Sequence, residues 1–147
     1  MNRLHAIVRD VHCIGTHHRF AIDAYPLIRS PAGKRLADWL LYYHRSFQRG
    51  AIDPDIRFRD FHNHVLHVRD GFWGGAPRVS HQWYDRLQKY LRAERFRDAA
   101  HAAGVLSHYV TDVALPLHTI CGEREGVIHR PMEWSIERSY DRINQYW

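Results

Sequence analysis

A chain of 147 residues has room for one hydrophobic core and too little for two, so residues 1–147 are read as a single domain. Apolar residues at 45% and charged residues at 25% exclude a disordered chain, and no run is apolar enough to span a membrane. The formal charge of +5 is carried mostly by arginine and suits an anionic partner, while the 13 histidines are the compositional anomaly.

Between Met1 and Phe20, arginines, histidines and Asp10 occupy the place where an export signal needs an apolar stretch of roughly 7–15 residues. Cys13 and Cys121 are too few for a disulfide framework. Both features predict a cytoplasmic location. Apolar residues recur at helical spacing and no long run alternates, which predicts an all-α fold, a compact multi-helix bundle.

The first helix is expected from Thr16, as N-cap, to about Ile28, burying Phe20, Ala24 and Leu27. Ser30 caps a second helix with Pro31 in its first turn. Leu36, Trp39, Leu40, Tyr43 and Phe47 form its apolar stripe, and Gly50 ends it. Residues 51–60, with Asp53-Pro54-Asp55, read as an ordered loop. A histidine-rich segment, 61–70, leads into the glycine- and proline-rich stretch 71–77, expected as a surface loop. Ser80 caps a helix bearing Trp83, Leu87, Tyr90 and Leu91. The alanine-rich run from about Glu94 to Leu115 is the most buried helix, stopped by Pro116. After a polar loop from Cys121 to Gly126, a last helix runs from about Ile128 towards the C-terminus, with Pro131 in a first turn that has no hydrogen bond to lose.

On the central helix His108 and Asp112 are four residues apart, so both project from one face and can meet a single ion. His118 follows the break at Pro116, and His129 and Glu133 repeat the four-residue spacing on the next helix. Helix ends and loops thus supply imidazole and carboxylate donors of the kind zinc accepts.

The run Ser107-His108-Tyr109-Val110-Thr111-Asp112, then Pro116-Leu117-His118 and His129-Arg130-Pro131-Met132-Glu133, resembles the metal-binding core of bacterial zinc-dependent phospholipases C. The fungal single-strand-specific nucleases share that framework. Thr16-His17-His18-Arg19-Phe20 resembles the family's first helical histidine and points to His17, and Pro54-Asp55 resembles its loop ligand. Leu66-His67-Val68-Arg69-Asp70 resembles its H-x-x-D segment and makes His67 the choice for the upstream imidazole, with His64 the runner-up.

The resemblance implies one zinc on Asp55, His67, His108 and Asp112, and a second on His118, His129 and Glu133. A third would use His17 and share Asp112, its other ligands normally coming from an N-terminal tryptophan. No tryptophan precedes Trp39. His5, His12 or Cys13 could substitute, or the third site is empty or weak, so two zinc ions are expected and a third is left open.

Such a cluster lowers the pKa of a bound water from 15.7 to about 7 and neutralises a phosphate undergoing in-line displacement. The resemblance therefore implies a zinc-dependent phosphoric ester hydrolase, a phospholipase C-like phosphodiesterase, with Asp55 also taking the water's proton. A phospholipid or another phosphate ester is the expected substrate, and basic character suits contact with an anionic membrane surface. Asp53, Asp70, Asp23 and Tyr109 are candidates to orient the ligands, and Phe72, Trp73, Trp134, Arg69, Arg124 and Arg130 to line the site.

Two other readings keep the histidines. One is a single-strand nuclease or nucleotidase with nucleic acid as substrate, and the other a non-catalytic helical module stabilised by zinc. The chain has no His-Asp dipeptide and no Glu-x-x-His, which argues against two other classes of helical metal enzyme. Oligomeric state is not legible.

Overall fold

A computed structural model describes residues 3–120 and 125–146. Among them are α1 (Arg3–Ile7), α2 (Thr16–Asp23), α3 (Pro31–Tyr42), α4 (His44–Asp53), α5 (Ala76–Arg92), α6 (Phe96–Ala114) and α7 (Glu125–Asn144). The only ladder-type pairing among the described residues is a single bridge between His67 and Trp73, so the fold is all-α. No described helix is long and apolar enough to cross a membrane.

The bundle is organised around α6, which packs chiefly against α4 and α5. Ala99, Ala100, Ala102 and Ala103 present small side chains to a core completed by Val8, Ile22, Leu41, Phe47 and Leu87. Two glycines let α4 and α6 cross almost backbone to backbone. A Cβ on Gly50 would stand 2.1 Å from the His101 carbonyl oxygen, and one on Gly104 would stand 2.0 Å from that of Phe47. This contact brings the C-terminal end of α4 against the second half of α6, where His108 and Asp112 lie.

Gly50 therefore continues α4 rather than ending a helix. The expected second helix breaks instead at Tyr43, giving α3, capped by the Ser30 hydroxyl on the Gly33 N–H (3.1 Å), and then α4. Residues 54–58, read as part of a loop, continue α4 as a π-turn that closes on Arg59 with φ +52°. The first helix ends at Asp23 because Pro26 favours a tighter turn, Tyr25–Leu27. Its N-cap is Gly15 rather than Thr16.

The face of α2 expected to be buried is instead exposed: Phe20 is 40% and Leu27 76% accessible, while Ile22 and His18 point inward. α1 and the π-turn Val8–His12 precede the first expected helix and bury Val8 and His5. α5 starts at Ala76 with Pro77 in its first turn, four residues ahead of the expected Ser80. α7 starts at Glu125, which puts Pro131 in its second turn.

Candidate metal centre

Six elements converge at one end of the α4/α6 contact. α6 contributes His108 and Asp112, four residues apart and both buried. The π-turn after α4 contributes Asp55, and a one-turn 3-10 helix, Phe61–His64, contributes His64. The 3-10 turn after Pro116 contributes His118, α2 contributes His17, and α7 contributes His129 and Glu133. Their donor atoms form three groups that could each hold a metal ion: Asp55/His64/His108, His17/His108/Asp112 and His118/His129/Glu133.

In the first group His64 Nδ1 lies 3.1 Å from His108 Nε2, and the Asp112 Oδ2 atom lies 2.7 Å from the former and 3.2 Å from the latter. Asp55 Oδ1 stands 3.8 and 3.6 Å from the same two nitrogens. In the third group His118 Nε2 to His129 Nε2 is 3.1 Å, His129 Nε2 to Glu133 Oε1 is 3.0 Å and His118 Nε2 to Glu133 Oε1 is 3.3 Å.

Asp112 stands between them. Its Oδ1 is 3.4 Å from His17 Nε2 and 4.0 Å from His118 Nε2.

These separations test whether zinc fits. Four donors held 2.0–2.1 Å from a tetrahedral zinc are about 3.3 Å from one another. The third group matches that spacing on all three edges. Around His64 and His108 the separations bracket it, from 2.7 Å on the Asp112 side to 3.8 Å on the Asp55 side. Lone-pair-bearing atoms packed this tightly repel one another unless a cation or proton lies among them.

The ring of His108 shows which nitrogen is available. Its Nδ1 donates to the Ala51 carbonyl at 2.8 Å, which leaves the lone pair on Nε2, facing the cluster. One nitrogen serves one ion, so His17 and Asp112 Oδ1 are what remain for a third.

Charge follows the same geometry. Burial would raise the Asp112 carboxyl, but hydrogen bonds from His108 and His64 outweigh it and hold the group well below the usual carboxylate range. The Glu133 carboxyl is lowered, chiefly by its hydrogen bond with His118. Burial would lower His108 and His118, yet their bonds to Asp112 and Glu133 raise both. Burial and the neighbouring His108 push His17 down to about 4.

Of the expected ligands, His17, Asp55, His108, Asp112, His118, His129 and Glu133 are brought together, and His67 is not in any of the groups. His64, the runner-up, is in one of them instead. The 3-10 turn points the His64 ring at Asp112, whereas His67 is tied by its backbone N–H to the Trp73 carbonyl (2.7 Å), and its ring packs 5.0 Å from the Trp73 ring.

None of the three residues considered as substitutes for an N-terminal tryptophan reaches the cluster. His5 bonds the Ile22 carbonyl, His12 packs on His44, and Cys13 accepts from Gln48.

The expected orienting residues divide as well. Tyr109 donates to Asp60, the neighbour of His64 that sequence reading missed. Asp53 is committed to His101 at 2.7 Å, and Asp23 to Arg9 and Tyr140. The Asp70 N–H closes a turn on the His67 carbonyl.

The donors open into a cavity of about 790 Å³. His17, Asp55, His64, Asp112, His118 and Glu133 line it together with apolar Phe20, Val110, Leu115, Trp134 and Ile136. Arg130 is the only lysine or arginine in the lining among the described residues. Phe72, Trp73 and Arg69 do not line it, and Arg124 and Cys121 lie outside the described residues.

No curated protein and no solved structure matches the chain. The sequence model of one family, described as zinc dependent phospholipase C, does match, over residues 16–144. That span takes in every donor of the cluster, and the chain belongs to the zinc dependent phospholipase C family.

Proposed function

We propose that the protein is a zinc-dependent phosphodiesterase that cleaves the glycerol–phosphate bond of a phospholipid or a closely related small ester, with two zinc ions on the cluster. The observation that carries this reading is the opening of the metal-binding groups into a cavity whose lining is largely apolar. A polyanionic strand needs a track of basic residues and a succession of stacking faces. Here the lining offers one arginine, Arg130, sufficient for a single phosphate beside an apolar tail.

Zinc, when bound, supplies acidity for a water and neutralises charge on the phosphoryl oxygens. His64, His108 and Asp112 hold one side of the reaction space, and His118, His129 and Glu133 the other. The Asp55 carboxylate is about half exposed to the cavity (49%) and lies close to His64 and His108, where it takes the proton from the attacking water. Arg130 pairs with the phosphate and Trp134 offers an apolar wall to the rest of the substrate.

Purified protein prepared without added metal is to be analysed for zinc, then assayed on a chromogenic phosphocholine ester before and after chelation, beside Asp55→Asn. The expected result is two zinc ions per chain, with turnover lost on chelation and in the variant. One zinc or none, with no turnover on that ester, refutes the reading. Turnover of an oligonucleotide alone moves the substrate to nucleic acid.

A further inference from the structure

His64 is the exception among the clustered imidazoles. His17, His108, His118 and His129 all face the cluster with Nε2, whereas His64 faces it with Nδ1. Its Nε2 is turned away, buried and without a hydrogen-bond partner, with the Asp60 Oδ1 atom 3.4 Å off. An imidazole that gives its Nδ1 lone pair to a metal must carry its proton on Nε2, and a buried N–H needs an acceptor.

Asp60 is held in place from other directions. The Tyr109 hydroxyl donates to its two oxygens at 3.0 and 2.9 Å, and Asn63 Nδ2 donates to Oδ2 at 2.7 Å. Asn63 is steadied in turn by Arg78 Nη2 on its Oδ1 at 2.8 Å. Tyr109 is fully buried on α6, one residue from His108, so the helix that carries two donors also fixes the carboxylate behind a third.

We propose that Asp60 is a positioning residue for the metal centre: its carboxylate, clamped by Tyr109 and Asn63, receives the Nε2 proton of His64 in a hydrogen bond and so presents Nδ1 to the ion. The inference rests on the metal reading of the cluster. A carboxylate behind a ligand imidazole fixes its tautomer and ring orientation, and losing such a partner typically weakens metal binding about 10- to 100-fold.

The test is zinc affinity, by competition with a chromophoric chelator, for the wild type, Asp60→Asn and Tyr109→Phe. A long-range proton–nitrogen spectrum of the zinc-loaded protein then reads which His64 nitrogen carries hydrogen. Asp60→Asn keeps the size of the side chain and an acceptor for Tyr109 while removing the charge. It is expected to weaken one zinc equivalent about 10-fold or more and to leave the His118/His129/Glu133 equivalent within about threefold. Tyr109→Phe is expected to give a smaller loss at the same equivalent. The wild-type spectrum should show the His64 proton on Nε2, and a role confined to folding would alter neither that signal nor one equivalent selectively.

Unchanged affinity in Asp60→Asn, equal weakening of both equivalents, or a His64 proton on Nδ1 overturns the proposal. A wild type that binds no zinc overturns the metal reading itself, a result distinct from a zinc-binding wild type with an indifferent variant.

Discussion

Replacing Gly104 with alanine should separate the two helices that build the centre. The new Cβ would stand 2.0 Å from the Phe47 carbonyl oxygen and 2.9 Å from the Ala51 nitrogen, both backbone atoms that no side-chain rotation can move aside. A carbon–oxygen contact needs about 3.3 Å, so α4 and α6 must part by about 1.3 Å. The hydrogen bond from His108 Nδ1 to the Ala51 carbonyl, now 2.8 Å, spans the same contact and is lost at that displacement.

Overpacking costs about 1–3 kcal/mol, here towards the upper end because backbone must yield, and the broken buried hydrogen bond adds about 1 kcal/mol. At roughly 2–4 °C per kcal/mol for a chain of this size, the melting temperature falls by about 10 °C.

Thermal unfolding followed by circular dichroism on metal-free protein measures this, and zinc titration of the same samples should show weaker binding by the group that includes His108. Gly126→Ala is the control, since nothing lies within 4 Å of the added carbon and an exposed helical alanine is favourable by up to about 1 kcal/mol. A Gly104→Ala protein that melts within about 2 °C of the wild type and binds zinc equally would refute the claim that this crossing sets the site.

His64→Ala should cost one zinc equivalent about 100-fold or more in affinity while His67→Ala leaves both equivalents nearly intact, and the reverse pattern would show that the upstream ligand is His67. The pH dependence has a definite sign. His108 and His118 are raised in the metal-free fold, so their contribution to its stability is present below the unfolded value near 6.5 and is lost as pH rises through the folded values. Zinc needs both rings neutral, so its binding strengthens over the same interval. The gap in melting temperature between zinc-loaded and metal-free protein should widen from about pH 6 to about pH 8, and a constant gap would contradict the assignment.

A shallow groove of about 280 Å³, lined in part by Ala24, Leu27, Tyr140 and Ile143, shares Phe20 and Ile136 with the main cavity. If the substrate's acyl chain lies there, half-buried methylenes should each raise kcat/KM about twofold in a series of monomeric short-chain phospholipids. Leu27→Glu should flatten that slope, and a flat wild-type series would remove the groove from the substrate path.

The parts of this architecture that were legible in the sequence are those with local periodicity. His108 with Asp112 and His129 with Glu133 are each one helical turn apart, so their convergence needs no tertiary information. The 3-10 turn that selects His64 over His67 has no such signature, because its direction is set by Asp60, Asn63 and the Trp73 bridge.

Gly50 read as a stop because glycine commonly follows a helix, whereas here it is the place where a second helix touches. Phe20, Ala24 and Leu27 lie on one face of a helical projection, and periodicity cannot tell a face turned to the core from one turned to a groove.

α7 supplies two of the cluster's donors but buries, among its described residues, Tyr140 alone. Its remaining ties to α2 include the Tyr140–Asp23 hydrogen bond and the exposed Arg19–Asp141 pair. An ion shared by His118, His129 and Glu133 would add a further tie between this helix and the rest of the bundle. Were that ion withdrawn, the twenty-residue helix would lose a tie that its sparse burial does not replace, and the supply of metal would then bear on how readily proteases reach it as well as on chemistry.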